Sequence, residues 1–68
     1  MQHHYLVYGL DSSGYKYKIK IIADRMEEAL FHARISGFIP KRVDELEQAQ
    51  TDYNGIISTD RINFGEQW

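Results

Sequence analysis

The 68-residue sequence has no cysteine, a single proline and no long apolar run. The lack of cysteine excludes disulfides and thiolate metal sites, so no such cross-link compensates for a small core. A domain of this length buries only about 60% of the surface that its unfolded chain exposes. We therefore expect one marginally stable domain over residues 1–68, for which self-association would be one remedy.

Signals for membranes and export are also missing. No apolar stretch approaches the roughly 20 residues of a membrane helix, and the amino-terminal residues lack a basic segment followed by an apolar one. The sequence therefore predicts a cytoplasmic protein without a membrane partner. A compact chain of this kind would suit an accessory gene of a phage or another mobile element.

Acidic and basic residues are unevenly spread along the chain. Residues 1–43 hold seven basic and four acidic residues, whereas residues 44–68 hold one basic and six acidic ones, and the net charge is −2. This asymmetry indicates either internal charge pairing or two surfaces with different partners.

Two strand-forming segments at the start of the chain predict a β-hairpin. Residues 4–10 are apolar on both faces, which is typical of a central strand. A turn cluster, Asp11 to Gly14, follows. Residues 15–23 then alternate strictly, with one face for the core and one for solvent. The predicted core face carries Tyr15, Tyr17, Ile19 and Ile21, and the opposite face carries Lys16, Lys18 and Lys20.

Residues 24–36 have the start, body and stop signals of a helix. Asp24 and Glu27 are spaced as a capping box, Gly37 suits a left-handed C-terminal cap, and Pro40 prevents continuation. The apolar stripe at helical spacing predicts the side that packs on the sheet. Its members are Met26, Ala29, Leu30 and Ala33, with Phe31 and Ile35 widening it.

The remaining segments predict an α+β fold in which the hairpin and the capped helix are followed by one or two short strands, as ββαβ or ββαββ. Residues 41–47 have weak alternation and suggest an edge strand, residues 48–54 suggest a loop, and residues 55–59 suggest a further strand. The predicted core spans residues 4–47, and residues 48–68 form an aromatic, acidic carboxyl-terminal segment.

This order of turn, cap and glycine signals resembles the small repeated ββαβ module at the start of type II secretion and type IV pilus inner-membrane platform proteins. The resemblance covers roughly residues 5–46 and implies the fold. It does not imply the secretion function, because in that family the module precedes membrane helices. A weaker likeness is to the HicB-type antitoxin fold. The residues matching the platform proteins are Tyr5, Tyr8, Asp11, Gly14, Ile21, Ala23, Asp24, Glu28, Ala29, Gly37, Pro40 and Val43.

A row of lysines is the first candidate binding feature. Lys16, Lys18 and Lys20, with Lys41 and Arg42, could contact phosphates or an acidic partner. However, the alternation of the second strand puts its tyrosines on the opposite face from the lysines. A solvated face that blocks aggregation is the simpler interpretation, and an accessory nucleic-acid-binding protein is the alternative.

No catalytic, cofactor or metal site is predicted. His3 and His4 are adjacent and would point to opposite faces of a strand, and His32 lies beside the helix stripe, so three convergent metal ligands are not expected. The serines lack a neighbouring base, and the glycines lack phosphate-loop spacing. We expect neither enzymatic activity nor a cofactor.

The aromatic content gives the main functional prediction. Tyr, Phe and Trp make up 13% of the chain, more than so small a core can bury, and surplus aromatics favour protein interfaces. The sequence therefore predicts a non-enzymatic protein-interaction module that self-associates or serves a larger protein. The candidate interface residues are Tyr5, Tyr8, Tyr53, Phe64 and Trp68.

Overall fold

A computed structural model describes residues 1–62 of the chain. It contains one four-stranded sheet and one helix, which confirms the predicted α+β fold in its ββαββ form. The elements are β1 (His3–Leu10), β2 (Lys16–Ala23), α1 (Met26–Ile35), β3 (Ile39–Gln48) and β4 (Gly55–Arg61).

The strand order in the sheet is β3-β1-β2-β4, and each neighbouring pair is antiparallel. The prediction of a central first strand is confirmed, as is the edge position of β3. α1 joins β2 to β3 and packs against one face of the sheet. One face of the sheet therefore packs against the helix and contributes to the core, and the opposite face is directed away from the helix.

The turn between β1 and β2 is organised by Asp11. Its Oδ1 accepts hydrogen bonds from the backbone N–H groups of Ser13 and Tyr15, both at 2.9 Å. Gly14 has φ 87°, a left-handed conformation that glycine adopts without steric cost. The turn residues therefore act as predicted, although the second strand begins at Lys16 rather than Tyr15.

The predicted capping box at the helix start is wrong. The N-cap is Arg25, with φ −142° and ψ 159°, and it makes no side-chain cap hydrogen bond. The helix thus begins later than predicted, and Glu28 replaces Glu27 at the third helical position. Glu28 Oε2 accepts a hydrogen bond from the Asp24 N–H at 3.4 Å, and Glu28 Oε1 lies 3.8 Å from an Arg25 guanidinium nitrogen.

The helix end follows the prediction. Gly37 has φ 87°, its N–H donates to the Arg34 carbonyl at 3.0 Å, and the Phe38 N–H donates to the Ala33 carbonyl at 3.1 Å. This pair of bonds is a Schellman motif. It turns the chain sharply, so that Phe38 enters the core and β3 starts at the next residue.

The core lies between α1 and one sheet face. Two alanines of α1 are completely buried there and bring the helix backbone close to the strands. Leu30, Tyr17, Val43 and Ile56 pack around this centre partly buried. The core cluster consists of Tyr5, Val7, Ile19, Ile21, Ala23, Ala29, Ala33 and Phe38.

Four apolar residues that the sequence assigned to the core face are exposed instead: Tyr15, Met26, Phe31 and Ile35. Tyr15 precedes β2 and stacks on the Arg61 guanidinium, whose carbon lies 3.9 Å from the ring centroid. Met26 is the first residue of the helix. Phe31 and Ile35 lie on the outer side of α1, because a step of two residues from Ala29 or Ala33 turns the helix by about 200°.

The loop between β3 and β4 crosses the end of the sheet. The Ala49 N–H donates to the Gln2 carbonyl at 2.9 Å, and Gln2 Nε2 donates to the Tyr53 carbonyl at 2.6 Å and to Asn54 Oδ1 at 3.0 Å. These bonds tie the amino-terminal Gln2 to the loop that leads to β4, which lies beside β2.

Candidate interaction surfaces

The predicted interface aromatics lie in different environments. Tyr5, predicted as an interface residue, is only 2% exposed and belongs to the core, so it offers little area to a partner. Tyr8 is half-buried on the face of the sheet opposite the helix, whereas Tyr53 is 50% exposed in the loop before β4. The other two, Phe64 and Trp68, lie outside the described residues.

Tyr5 has a structural role that depends on its hydroxyl group. The hydroxyl donates to Glu45 Oε1 of β3 at 3.1 Å. Burial, this hydrogen bond and the negative charge of Glu45 raise the pKa of Tyr5 above its ordinary value of 10.0, since each disfavours the phenolate. The ring therefore has a buried apolar body and a polar tip that joins β1 to β3.

This raised pKa predicts a loss of stability at alkaline pH. Neutral Tyr5 makes its full contribution to the free energy of unfolding below about pH 10. This contribution is lost as the pH rises through the higher pKa of the folded state, because the tyrosine of the unfolded chain ionises first. We expect the free energy of unfolding to fall more steeply above pH 10 in the native chain than in Tyr5→Phe. Urea titrations across that range measure the difference, and identical alkaline slopes in both proteins would contradict the prediction.

The outer side of α1 exposes two large apolar side chains, Phe31 and Ile35, which we call the helix ridge. They are 59% and 65% exposed and lie one helical turn apart, so their side chains are neighbours. Glu27 lies beside the ridge near the helix start, and Arg34 lies on the same side near its end. The ridge is thus an apolar patch with an acidic and a basic end.

The face of the sheet opposite α1 carries the lysine row. The β1–β2 register pairs Lys20 with Leu6, Lys18 with Tyr8, and Lys16 with Leu10. Directly paired residues of antiparallel strands share a face, so an aromatic ring does lie among the lysines. The alternation of β2 relates the lysines only to tyrosines of their own strand, so the sequence predicts Tyr8 as an interface residue but does not place it among the lysines.

The neighbouring strands extend this face. Arg42 pairs with Tyr8 from the β3 side, and its guanidinium carbon lies 5.5 Å from the ring centroid. Asp44 follows on β3 and accepts a hydrogen bond from Arg42 Nε at 3.2 Å, while Asp60 of β4 pairs with Lys18. We define the lysine face as Leu6, Tyr8, Leu10, Lys16, Lys18, Lys20, Arg42, Asp44, Ser58 and Asp60. The fifth predicted basic contact, Lys41, falls at a register shift and has no partner residue in β1.

A cleft of about 320 Å³ opens beside the carboxyl end of α1. It forms because the ten-residue helix is about 15 Å long, whereas the eight residues of β2 extend about 27 Å. Among the described residues, the titratable side chains that line it are Asp11, which already accepts two backbone hydrogen bonds, and Tyr17. The lining residues are Asp11, Ser12, Tyr17, Ile19, Ser36, Gly37, Phe38, Ile56 and Thr59.

The three histidines do not converge in the described part of the chain. His3 Nδ1 lies 4.0 Å from Glu45 Oε1, His4 pairs with Ile22 on β2, and His32 packs edge-on against Phe31. Within residues 1–62, no group of three or more histidine or acidic side chains is placed to hold a metal ion. Over the same residues, no helix has the length and apolar character needed to cross a membrane.

Comparison with protein-family models, with curated proteins and with solved structures finds no match for this chain. The resemblance to the platform-protein module therefore stays a prediction about the fold, and the candidate surfaces are interpreted from their own geometry.

Proposed function

We propose that this protein is a non-enzymatic protein-interaction module of the cytoplasm that self-associates through the helix ridge. The observation that supports the proposal is the exposure of Phe31 and Ile35, two large apolar side chains on the side of α1 directed away from the core. Adjacent apolar side chains facing solvent on a helix are typical of a contact surface.

The charges beside the ridge favour a second copy as the partner. In an antiparallel pair of α1 helices related by a two-fold axis, Glu27 of one copy faces Arg34 of the other, and the pairing occurs twice. The opposed helix dipoles are also favourable in that arrangement. The surface is therefore complementary to itself: its apolar ridge can pack against a second ridge, and its acidic end can face the basic end of the other copy.

The expected dimer is weak. A stable interface usually buries about 1,600 Å² in total, and two crossing helices of about 15 Å each cover less than that. We expect a monomer–dimer equilibrium that shifts with protein concentration, which sedimentation velocity or light scattering over a concentration series would measure. A strict monomer at every concentration would refute the proposal.

Removing the ridge should abolish this association. We expect Phe31→Ser/Ile35→Ser to be monomeric and to remain folded, since both side chains are more than half exposed. Ile57→Ser is a matched control, because Ile57 is 43% exposed on β4 and lies far along the chain from the ridge. Equal dimerisation in the ridge variant and the control would contradict the assignment.

A charge exchange tests whether the partner is a second copy. Glu27→Arg and Arg34→Glu should each weaken the dimer, because each places like charges opposite one another. Glu27→Arg/Arg34→Glu restores both pairs with inverted polarity and should recover the association. Failure of the double variant to recover, while its circular dichroism shows a folded helix, would count against the antiparallel arrangement.

A further inference from the structure

The lysine face combines features that the chain as a whole lacks. Four basic side chains and two carboxylates occupy its paired positions, so the face carries an excess of positive charge on a protein of net charge −2. Among the described residues neither Lys18 nor Lys20 forms an ion pair. The charge of these two lysines lies on one side of the molecule and is available to an anionic partner.

The arrangement of the charges follows the strand. Lys16, Lys18 and Lys20 recur every second residue, which separates the backbone positions of neighbouring lysines by about 7 Å along β2. That spacing suits a ligand with regularly repeated negative charges, such as the phosphodiester backbone of a nucleic acid. An isolated anion would use only one or two of the three.

Tyr8 adds a second kind of contact in the middle of the face. It lies on a central strand, with Lys18 beside it on β2 and Arg42 beside it on β3. Its flanks along β1, Leu6 and Leu10, are apolar. An aromatic ring on the surface of a sheet between basic side chains is an arrangement that allows a base to stack while its neighbouring phosphates meet cations.

From these observations we infer that the lysine face binds single-stranded nucleic acid, with Tyr8 as the stacking platform and Lys16, Lys18, Lys20 and Arg42 as phosphate contacts. An acidic protein segment would use the cations but gain little from the ring. The inference is independent of self-association, because α1 and the lysine face lie on opposite sides of the sheet.

Fluorescence anisotropy with labelled oligothymidylate and oligouridylate tests this inference on the full chain. We expect weak binding whose logarithmic affinity falls linearly with logarithmic salt concentration between about 50 and 200 mM, with a slope of about −2.8 for the four phosphate contacts. Absence of binding at low salt, or binding that is insensitive to salt, would overturn the inference.

Two variants separate charge from stacking. Lys18→Gln/Lys20→Gln should flatten the salt slope by about 1.4, because two contacts are removed. Tyr8→Leu should weaken binding by about 5- to 150-fold while the slope stays unchanged, since a base loses its stacking partner. The control Arg25→Gln/Arg61→Gln removes the same charge from the N-cap of α1 and from β4, outside the lysine face, and should retain the native slope.

Polyglutamate is the competing probe. If it binds as tightly as the oligonucleotides at equal salt, and if Tyr8→Leu leaves both affinities unchanged, the face is a site for acidic proteins and the inference is wrong. Preferential binding of the oligonucleotides that depends on Tyr8 supports it. Circular dichroism of each variant verifies that the sheet is retained, so that a lost fold is not taken for a lost contact.

Discussion

Replacing Gly9 with alanine should destabilise the protein by about 3 kcal/mol or more, although it adds only one methyl group. A Cβ atom at this position of β1 would overlap the backbone carbonyl oxygen of Ile39, and it would lie 2.9 Å from both the Ile39 carbonyl carbon and Phe38 Cε2. Backbone atoms of a neighbouring strand cannot rotate away as a side chain can, so the β1–β3 pairing would have to open.

The close approach at Gly9 has a cause in the strand register. Tyr8 pairs with Arg42 but Gly9 pairs with Pro40, so one residue of β3 is extra at this point. Such a bulge bends the strand, and the carbonyl of Ile39 thereby comes over the glycine. Phe38 enters the core beside the same position, and its packing would be lost together with the pairing.

Gly14→Ala is the control for Gly9→Ala. No atom lies within 4 Å of a Cβ built at Gly14, so only its left-handed φ of 87° opposes the substitution, at a cost of about 1 kcal/mol. Urea unfolding followed by circular dichroism measures both. If the two variants lose equal stability, the contact between Gly9 and β3 is looser than the structure shows.

Local signals in the sequence predicted the elements well. The alternation of β2, the Asp11 turn and the Gly37 cap each depend on residues a few positions apart, and each is confirmed. The helix start was placed too early because Asp24 is a good N-cap residue by type, yet the chain remains extended through Arg25. Which of two adjacent residues becomes the N-cap depends on the direction in which the chain leaves β2, and local sequence signals do not give that direction.

The candidate surfaces depend on relations that a single segment does not contain. Tyr8 joins the lysines only through the pairing of two strands, so the turn length and the resulting register had to be known. Phe31 and Ile35 could have been identified from sequence, because their helical angle opposes that of Ala29 and Ala33. The predicted apolar stripe instead includes both residues in its width, which makes it broader than the side of the helix that packs on the sheet.

The two proposed surfaces lie on opposite sides of one sheet. α1 covers the core with its alanine side and presents the helix ridge outward, while the lysine face uses the other side of β1 and β2. A dimer formed through the ridge would therefore leave both lysine faces accessible and directed away from each other. Self-association would then double the number of anion-binding faces without occupying either.

Ile21→Ala should have the second largest effect on stability, about 2 to 5 kcal/mol. Ile21 is 0% exposed, lies on a central strand and pairs with Tyr5 on one side and Ile56 on the other, so the cavity left by its truncation touches three strands. A 68-residue domain has a total stability of about 3 to 10 kcal/mol, so this one change could remove most of it.

Ile57→Ala makes the same chemical change at a position that is 43% exposed and should alter stability by no more than about 0.5 kcal/mol. The midpoint of urea unfolding compares the two variants, provided that the dependence on denaturant is unchanged. The difference measures how far burial on the helix side of the sheet, rather than apolar character in general, stabilises the fold. Equal midpoints would mean that burial of Ile21 does not stabilise the sheet. The stability of the strands that carry the lysine face would then come from other contacts.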